Sequence, residues 1–296
     1  MSISKKVKEL QNSLNNITQE LKLHFPTQSN ISLIRGKGQL YGISKTDGRH
    51  LWTIGAPYKN PVFVEDKKII YCAEGGDITT FNRETGKRIR SRELAYSKIN
   101  SLLLEDNVFY ASTIDGDLAA FDKLTLKKRW EKELPEGKYE LSKSNDNLYI
   151  FNSNKLLALN SDTGNYRWDL EGTIYCAHAD FENEGGAYLS LANKNGEEFR
   201  KMSKDGLMLW RKEGQFRPTK IAGNGNRVYL GTPRILALDS NSGDKLWDYW
   251  NYHYRGGVLH LEEKCDILEI TYSGDPYLDI GNQVHLFPTT GNEIVR

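Results

Sequence analysis

The stretches LLALNSDTGNYRW (Leu156 to Trp168) and ILALDSNSGDKLW (Ile235 to Trp247) decide the fold of this chain. Each begins with a short apolar run in which side chains alternate in size. A polar turn of Asn or Asp, Ser or Thr, and Gly follows, and a second run ends in Trp. Alternation at period two marks a strand, and Asn, Asp and Gly tolerate the left-handed backbone of a tight hairpin. Each stretch therefore reads as two antiparallel strands joined by a turn.

The same plan recurs along the chain. LYGISKTDGRHLW (Leu40 to Trp52) and LAAFDKLTLKKRW (Leu118 to Trp130) follow it, although the second has Leu126 where the others have Gly. FRKMSKDGLMLW (Phe199 to Trp210) is one residue shorter. ITTFNRETGKRIR (Ile78 to Arg90) keeps the turn but ends in Arg, and VHLFPTTGNEIV (Val284 to Val295) is the last, degenerate copy. Counting Arg90, the closing positions fall 37 to 42 residues apart. A period near 40 suits a four-stranded propeller blade. The rest of each period supplies the other two strands. Runs such as Ile69-Ile70-Tyr71, Val108-Phe109-Tyr110, Leu148-Tyr149-Ile150, Ala187-Tyr188-Leu189 and Val228-Tyr229-Leu230 precede the quoted segments, most of them after a polar turn. The expected fold is all-β: a seven-bladed β-propeller of four-stranded antiparallel blades over residues 26–296.

These residues resemble the PQQ-type repeat, best over Arg227–Trp247 and Asn107–Trp130, and the resemblance covers about residues 30–296. It implies that Trp52, Trp130, Trp168, Trp210 and Trp247 dock between neighbouring blades. It also raises quinone-dependent dehydrogenation, the chemistry of the enzymes for which the repeat is named. Those enzymes resemble one another in longer chains of about eight blades, in adjacent cysteines and in calcium ligands. Here Cys72, Cys176 and Cys265 are far apart. No cofactor is expected.

The ends of the chain differ from its middle. Blade 1 counts only three strands, Ile31–Arg35, Gln39–Ser44 and His50–Ile54. Ahead of it, Val7, Leu10, Leu14, Ile17 and Leu21 recur at spacings of three and four before Pro26. That stripe predicts a short amphipathic helix within residues 1–25. It would dock on the propeller, pair with a second copy or engage a partner, so the chain is expected to be a monomer or a helix-mediated dimer.

Composition excludes more than it identifies. Forty basic residues against 39 acidic leave a formal charge of +1, so no global field draws the chain to nucleic acid or to an anionic membrane. The basic run of Lys123, Lys127, Lys128 and Arg129 reads as a solvated turn and outer strand. Three odd cysteines make no disulfide framework and fit a reducing compartment. The lysines near the start are followed by no apolar core of a signal, and a cytoplasmic location is expected.

Two places invite a functional reading. Cys176, His178 and Asp180 alternate along one strand, as a metal site completed by His253 or His260 would require, but alternation on an inner strand equally serves packing, and no metal is expected. The stretch WDYWNYHYR (Trp247 to Arg255) is more unusual. Beyond Trp247 it adds Trp250, Tyr252, His253, Tyr254 and Arg255, residue types enriched where proteins recognise one another. Local packing under a connection is the alternative, and Ser273–Gly281 could join the same surface. No GxSxG elbow or phosphate loop is present. The reading is thus a non-catalytic protein-interaction module, one version being a bacterial immunity protein that masks a cognate toxin. An envelope assembly scaffold and a lyase or hydrolase with a site in the central channel are the alternatives.

Overall fold

A computed structural model describes residues 30–36, 38–55, 61–94, 97–182, 184–194, 196–232, 234–250, 258–264, 267–272, 282–286, 288 and 290–291. All the regular structure in them is β. The expected helix and the boundary near residue 25 lie outside the described residues.

Among the described residues, seven antiparallel sheets follow one another along the chain. Sheet 1 is β1 (Ile31–Gly36), β2 (Gln39–Ser44) and β3 (His50–Ile54). Sheet 2 is β4 (Val62–Glu65), β5 (Ile69–Glu74), β6 (Asp77–Asn82) and β7 (Arg88–Glu93). Sheet 3 is β8 (Ile99–Leu104), β9 (Val108–Thr113), β10 (Asp117–Asp122) and β11 (Lys128–Glu133). Sheet 4 is β12 (Glu140–Ser144), β13 (Asn147–Phe151), β14 (Lys155–Asn160) and β15 (Tyr166–Glu171). Sheet 5 is β16 (Thr173–Ala179), β17 (Ala187–Asn193), β18 (Gly196–Met202) and β19 (Met208–Glu213). Sheet 6 is β20 (Lys220–Gly223), β21 (Arg227–Gly231), β22 (Arg234–Asp239) and β23 (Lys245–Trp250). Sheet 7 is β24 (Val258–Lys264), β25 (Ile267–Tyr272) and β26 (Asn282–Leu286). Sheets 1 and 7 thus have three strands among the described residues, as counted for blade 1 from Ile31 and one fewer than the four of a full blade for the last.

The strands divide into two compact units, one holding sheet 1 and most of sheet 2, the other holding sheets 3 to 7. In the first, Leu40, Trp52 and Ile54 meet Phe63, Ile70 and Cys72 in a single core. In the second, each sheet shares a core with the next. Val108, Tyr110 and Leu118 of sheet 3 pack on Leu148, Ile150 and Leu159 of sheet 4. Tyr149 and Leu156 pack on Leu189 and Leu191 of sheet 5. Tyr188 and Phe199 pack on Val228, Leu230 and Leu238 of sheet 6. Tyr229 and Ile235 pack on Leu268 and Ile270 of sheet 7. This face-to-face order buries the second strand of each middle sheet on both sides, so β9 and β13 are buried at every position. Such strands read as unbroken apolar runs, because neither face meets water.

The repeated turn is built by its Asn or Asp. Asn160 Oδ1 accepts from the backbone N–H of Asp162 at 3.1 Å and of Thr163 at 3.0 Å, and from the Thr163 hydroxyl at 2.9 Å. Asp239 Oδ1 accepts the N–H of Asn241 and of Ser242, each at 2.9 Å. These bonds hold the Asp239 carboxyl below the usual carboxylate range, the Ser242 N–H contributing most. The turn closes at Gly164 and Gly243, each at φ +71, a left-handed conformation open to glycine at little penalty.

Candidate functional site

The repeat tryptophans lie on the fourth strands, or on the third in sheet 1, and each reaches the turn of the following sheet. Trp130 Nε1 donates to Ser161 O at 2.9 Å, Trp168 to Lys204 O at 2.8 Å, Trp210 to Ser240 O at 3.1 Å and Trp247 to Pro288 O at 2.7 Å. Each indole also covers the turn glycine. A Cβ on Gly164 would lie 2.8 Å from Trp130, one on Gly206 2.8 Å from Trp168, one on Gly243 2.8 Å from Trp210 and one on Gly291 2.5 Å from Trp247. Trp52 covers Gly86 in the same way, although its Nε1 is buried and meets no acceptor among the described residues. The turn glycine is therefore a packing partner as well as a backbone requirement. The turn of sheet 3 departs from this pattern, with Leu126 in place of Gly. Leu126 keeps the left-handed backbone, at φ 59, and is 1% exposed.

A second repeated residue joins these contacts. Tyr71, Tyr110, Tyr149, Tyr188 and Tyr229 stand at the same place on the second strands of sheets 2 to 6, all but fully buried. The Tyr110 hydroxyl donates to Ser161 O at 3.3 Å, the carbonyl that also accepts from Trp130. Burial pushes the Tyr110 hydroxyl up to about 12. In sheet 5 the arrangement takes on charge. Lys201 stands opposite Trp210, where sheets 3, 4 and 6 have Ala120, Ala158 and Ala237. Its buried Nζ donates to Ser240 O at 3.1 Å and lies 3.3 Å from Glu182 Oε1, which also accepts from the Tyr188 hydroxyl at 2.7 Å. Every charge in this cluster has an opposite neighbour, as burial demands. Sequence reading passed over it because Lys201 sits at an ordinary strand position.

Cys176, His178 and Asp180 do not converge. Cys176 packs in the core between sheets 5 and 6, and burial lifts its thiol to about 12. The His178 ring stacks on Phe181 at 4.8 Å, its Nδ1 lies 2.7 Å from Ala179 O, and burial lowers its basicity. Asp180 follows the last residue of β16 and turns the other way: its carboxylate takes the Ser144 hydroxyl of sheet 4 and, at 2.8 Å, the Gly186 N–H. Alternation fails here because the strand ends at Ala179 and the chain turns. Among the described residues no three His, Cys, Asp or Glu side chains form a metal-sized group. His253 and Cys265, and the side chain of His260, are outside the description. Cys72 and Cys176 are free, buried thiols in separate cores.

Of the aromatic run, Trp250 ends β23 and is 49% exposed. Tyr252, His253, Tyr254 and Arg255 lie outside the described residues, as does Ser273–Gly281. Trp250 borders a cleft of about 690 Å³ between sheets 5 and 6. Phe216, Leu230, Leu236 and Leu238 give the cleft an apolar lining, and Lys212, Arg234 and Lys245 stand along it. Arg234 and Lys245 both pair with Asp248, whose carboxyl they hold low, Lys245 most strongly. Lys212 pairs with Asp244 at 2.7 Å. Of the outer strands beside the cleft, β19 exposes Met208 and Leu209, with Leu207 just before it, and β23 exposes Leu246. None of the cleft cations was legible in advance, because Arg234 and Lys245 fall at positions where the repeat varies freely.

The family model described as "Outer membrane protein assembly factor BamB" matches residues 36–249, well over half of the chain. The chain belongs to this family. It is a PQQ-like repeat propeller, and sheets 2 to 6 lie within the matched residues, apart from the last residue of β23. Solved structures agree on the fold. BamB from Moraxella catarrhalis is 15% identical with a TM-score of 0.59, over 90% of this chain and 85% of that one. The computationally designed Ika8 protein is 14% identical with a TM-score of 0.70, over 90% and 86%. Sqt1 from Saccharomyces cerevisiae is 12% identical with a TM-score of 0.69, over 90% and 81%. No curated protein sequence matches the chain. Identities this low speak for the fold of the propeller and leave its task to be argued from its own surface.

Proposed function

We propose that this propeller is a non-catalytic protein-interaction scaffold whose recognition surface includes the outer edge of sheets 5 and 6. One observation carries the reading. The outer strands of sheets 2 and 3, RIRSRE and KRWEKE, expose a single large apolar residue, Ile89, whereas β19 and β23 expose Met208, Leu209, Leu246 and Trp250. Charge on an outer strand guards it against unwanted pairing, and an edge where exposed apolar side chains gather marks a place where another protein sits. Membership of the assembly-factor family supports a scaffold in general.

The finer form of the proposal is a cytoplasmic protein, acting as monomer or dimer, that holds one cognate partner, as an immunity protein holds its toxin. The family match favours a second reading, an assembly scaffold of the cell envelope. Isolation of the tagged full chain from its source after mild cross-linking tests both. A single stoichiometric partner, lost on Trp250→Ala, is the expected result. Recovery in the envelope fraction selects the second reading, and a chain that comes out alone rejects the first.

A further inference from the structure

We propose that the cleft between sheets 5 and 6 receives an extended segment of the partner protein in which an apolar side chain stands next to a carboxylate. This rests on the interaction reading above and adds the chemistry of the partner. The volume, about 690 Å³, is that of a site for a few residues or a small ligand. Its Phe216, Leu230, Leu236 and Leu238 lining suits an aliphatic or aromatic group. Charge decides the rest. Lys212 is matched by Asp244, and Glu213 lies 3.5 Å from Arg211. Arg234 and Lys245, by contrast, share the one carboxylate of Asp248, which among the described residues leaves one positive charge in excess at the cleft. A ligand carboxylate supplies the missing negative charge, in the manner Arg favours.

A peptide fits better than a free small acid because of what adjoins the cleft. Trp250 stands at its border, and the exposed Leu209 and Leu246 belong to the two strands that flank it, β19 and β23. An extended chain reaches from the cleft past Trp250 and along β23, where Leu246 is exposed, as peptides do at sheet edges.

The test is fluorescence anisotropy of the full chain with a labelled peptide alternating Glu and Leu. A peptide with Lys for Glu and one with Ser for Leu serve as controls. Binding of the Glu–Leu peptide, at least tenfold weaker for either control, is expected. Trp250→Ala should weaken it by tenfold or more, as loss of an interface anchor does. Arg234→Gln should do the same. Because that change leaves Asp248 with one partner fewer, Lys245→Gln is the companion variant that keeps the Arg234 pair. Thermal melting checks the fold of each. Equal binding of the three peptides, absence of binding, or indifference to all three substitutions overturns the proposal. A natural partner recovered equally well by Trp250→Ala and Arg234→Gln removes the cleft but leaves the scaffold. Peptide binding without any natural partner does the reverse.

Discussion

The outer strands β11 and β23 occupy the same place in sheets 3 and 6, and they have the same length and the same Trp at the third position. Trp130 and Trp247 do the same thing: each sends its Nε1 to a carbonyl of the next sheet's turn and covers that turn's glycine. Around the Trp the two strands part. β11 reads Lys-Arg-Trp-Glu-Lys-Glu, with Arg129 paired to Asp122 at 3.0 Å, and β23 reads Lys-Leu-Trp-Asp-Tyr-Trp. The docking position is constrained because an indole lost from it leaves a cavity over the next turn. The exposed positions are free to change because water serves either choice. The repeat thus builds the propeller, and the departures from it are where a particular task is written.

Four measurements break or sharpen this contrast. The largest effect belongs to what the strands share. Trp130→Ala and Trp247→Ala should each lower the unfolding free energy by about 3–5 kcal/mol, since both empty a packed site. Urea titration checks it, and a large loss at one site with none at the other would show that the strands are not equivalent.

Next come the turns. Gly243→Ala should destabilise by about 1–3 kcal/mol, from the left-handed backbone and from a Cβ pressed against Trp210. Leu126→Gly should also destabilise, by about 1–3 kcal/mol in the same assay, because the lost buried side chain outweighs the relief of backbone strain. A stabilised Leu126→Gly protein would mean that Leu126 does not fill its site.

A smaller effect depends on pH. His178 is on the inner strand of sheet 5, and the inner strands of sheets 3 and 6, β8 and β20, carry no histidine. Burial lowers the His178 pKa from its ordinary 6.5, so the unfolded chain takes up the proton first as pH falls. Its contribution is intact above 6.5 and declines as pH drops through 6.5 toward the folded value. Thermal melting from pH 8 to pH 5 should show that decline, and His178→Gln should flatten it. The smallest effect is on stability at the exposed edge. Trp250→Ala should change unfolding by no more than about 0.5 kcal/mol while it abolishes partner binding. Loss of both would place Trp250 in the core of its sheet.

How much was legible follows burial. The three strands of sheet 1, Ile31–Arg35, Gln39–Ser44 and His50–Ile54, were readable to within a residue, because alternation and turn residues are local signals. The five tryptophans stood out for the same reason. The Lys201–Glu182–Tyr188 cluster did not, since its members come from β17, β18 and the connection after β16, and no local pattern links them. Asp180 was misread as sharing a face with Cys176 and His178, because alternation holds only while the strand lasts.

The sequence by itself therefore determined the period, the strands, the turns and the closing tryptophans, all of them fixed by interactions within a few residues or by repetition. Only the tertiary structure decided what lies between sheets. It paired each indole with the glycine of the next turn, gave two cations one carboxylate at Asp248, and opened the cleft beside Trp250. Those contacts join residues some tens of positions apart, and the face-to-face packing of successive sheets is what brings them together.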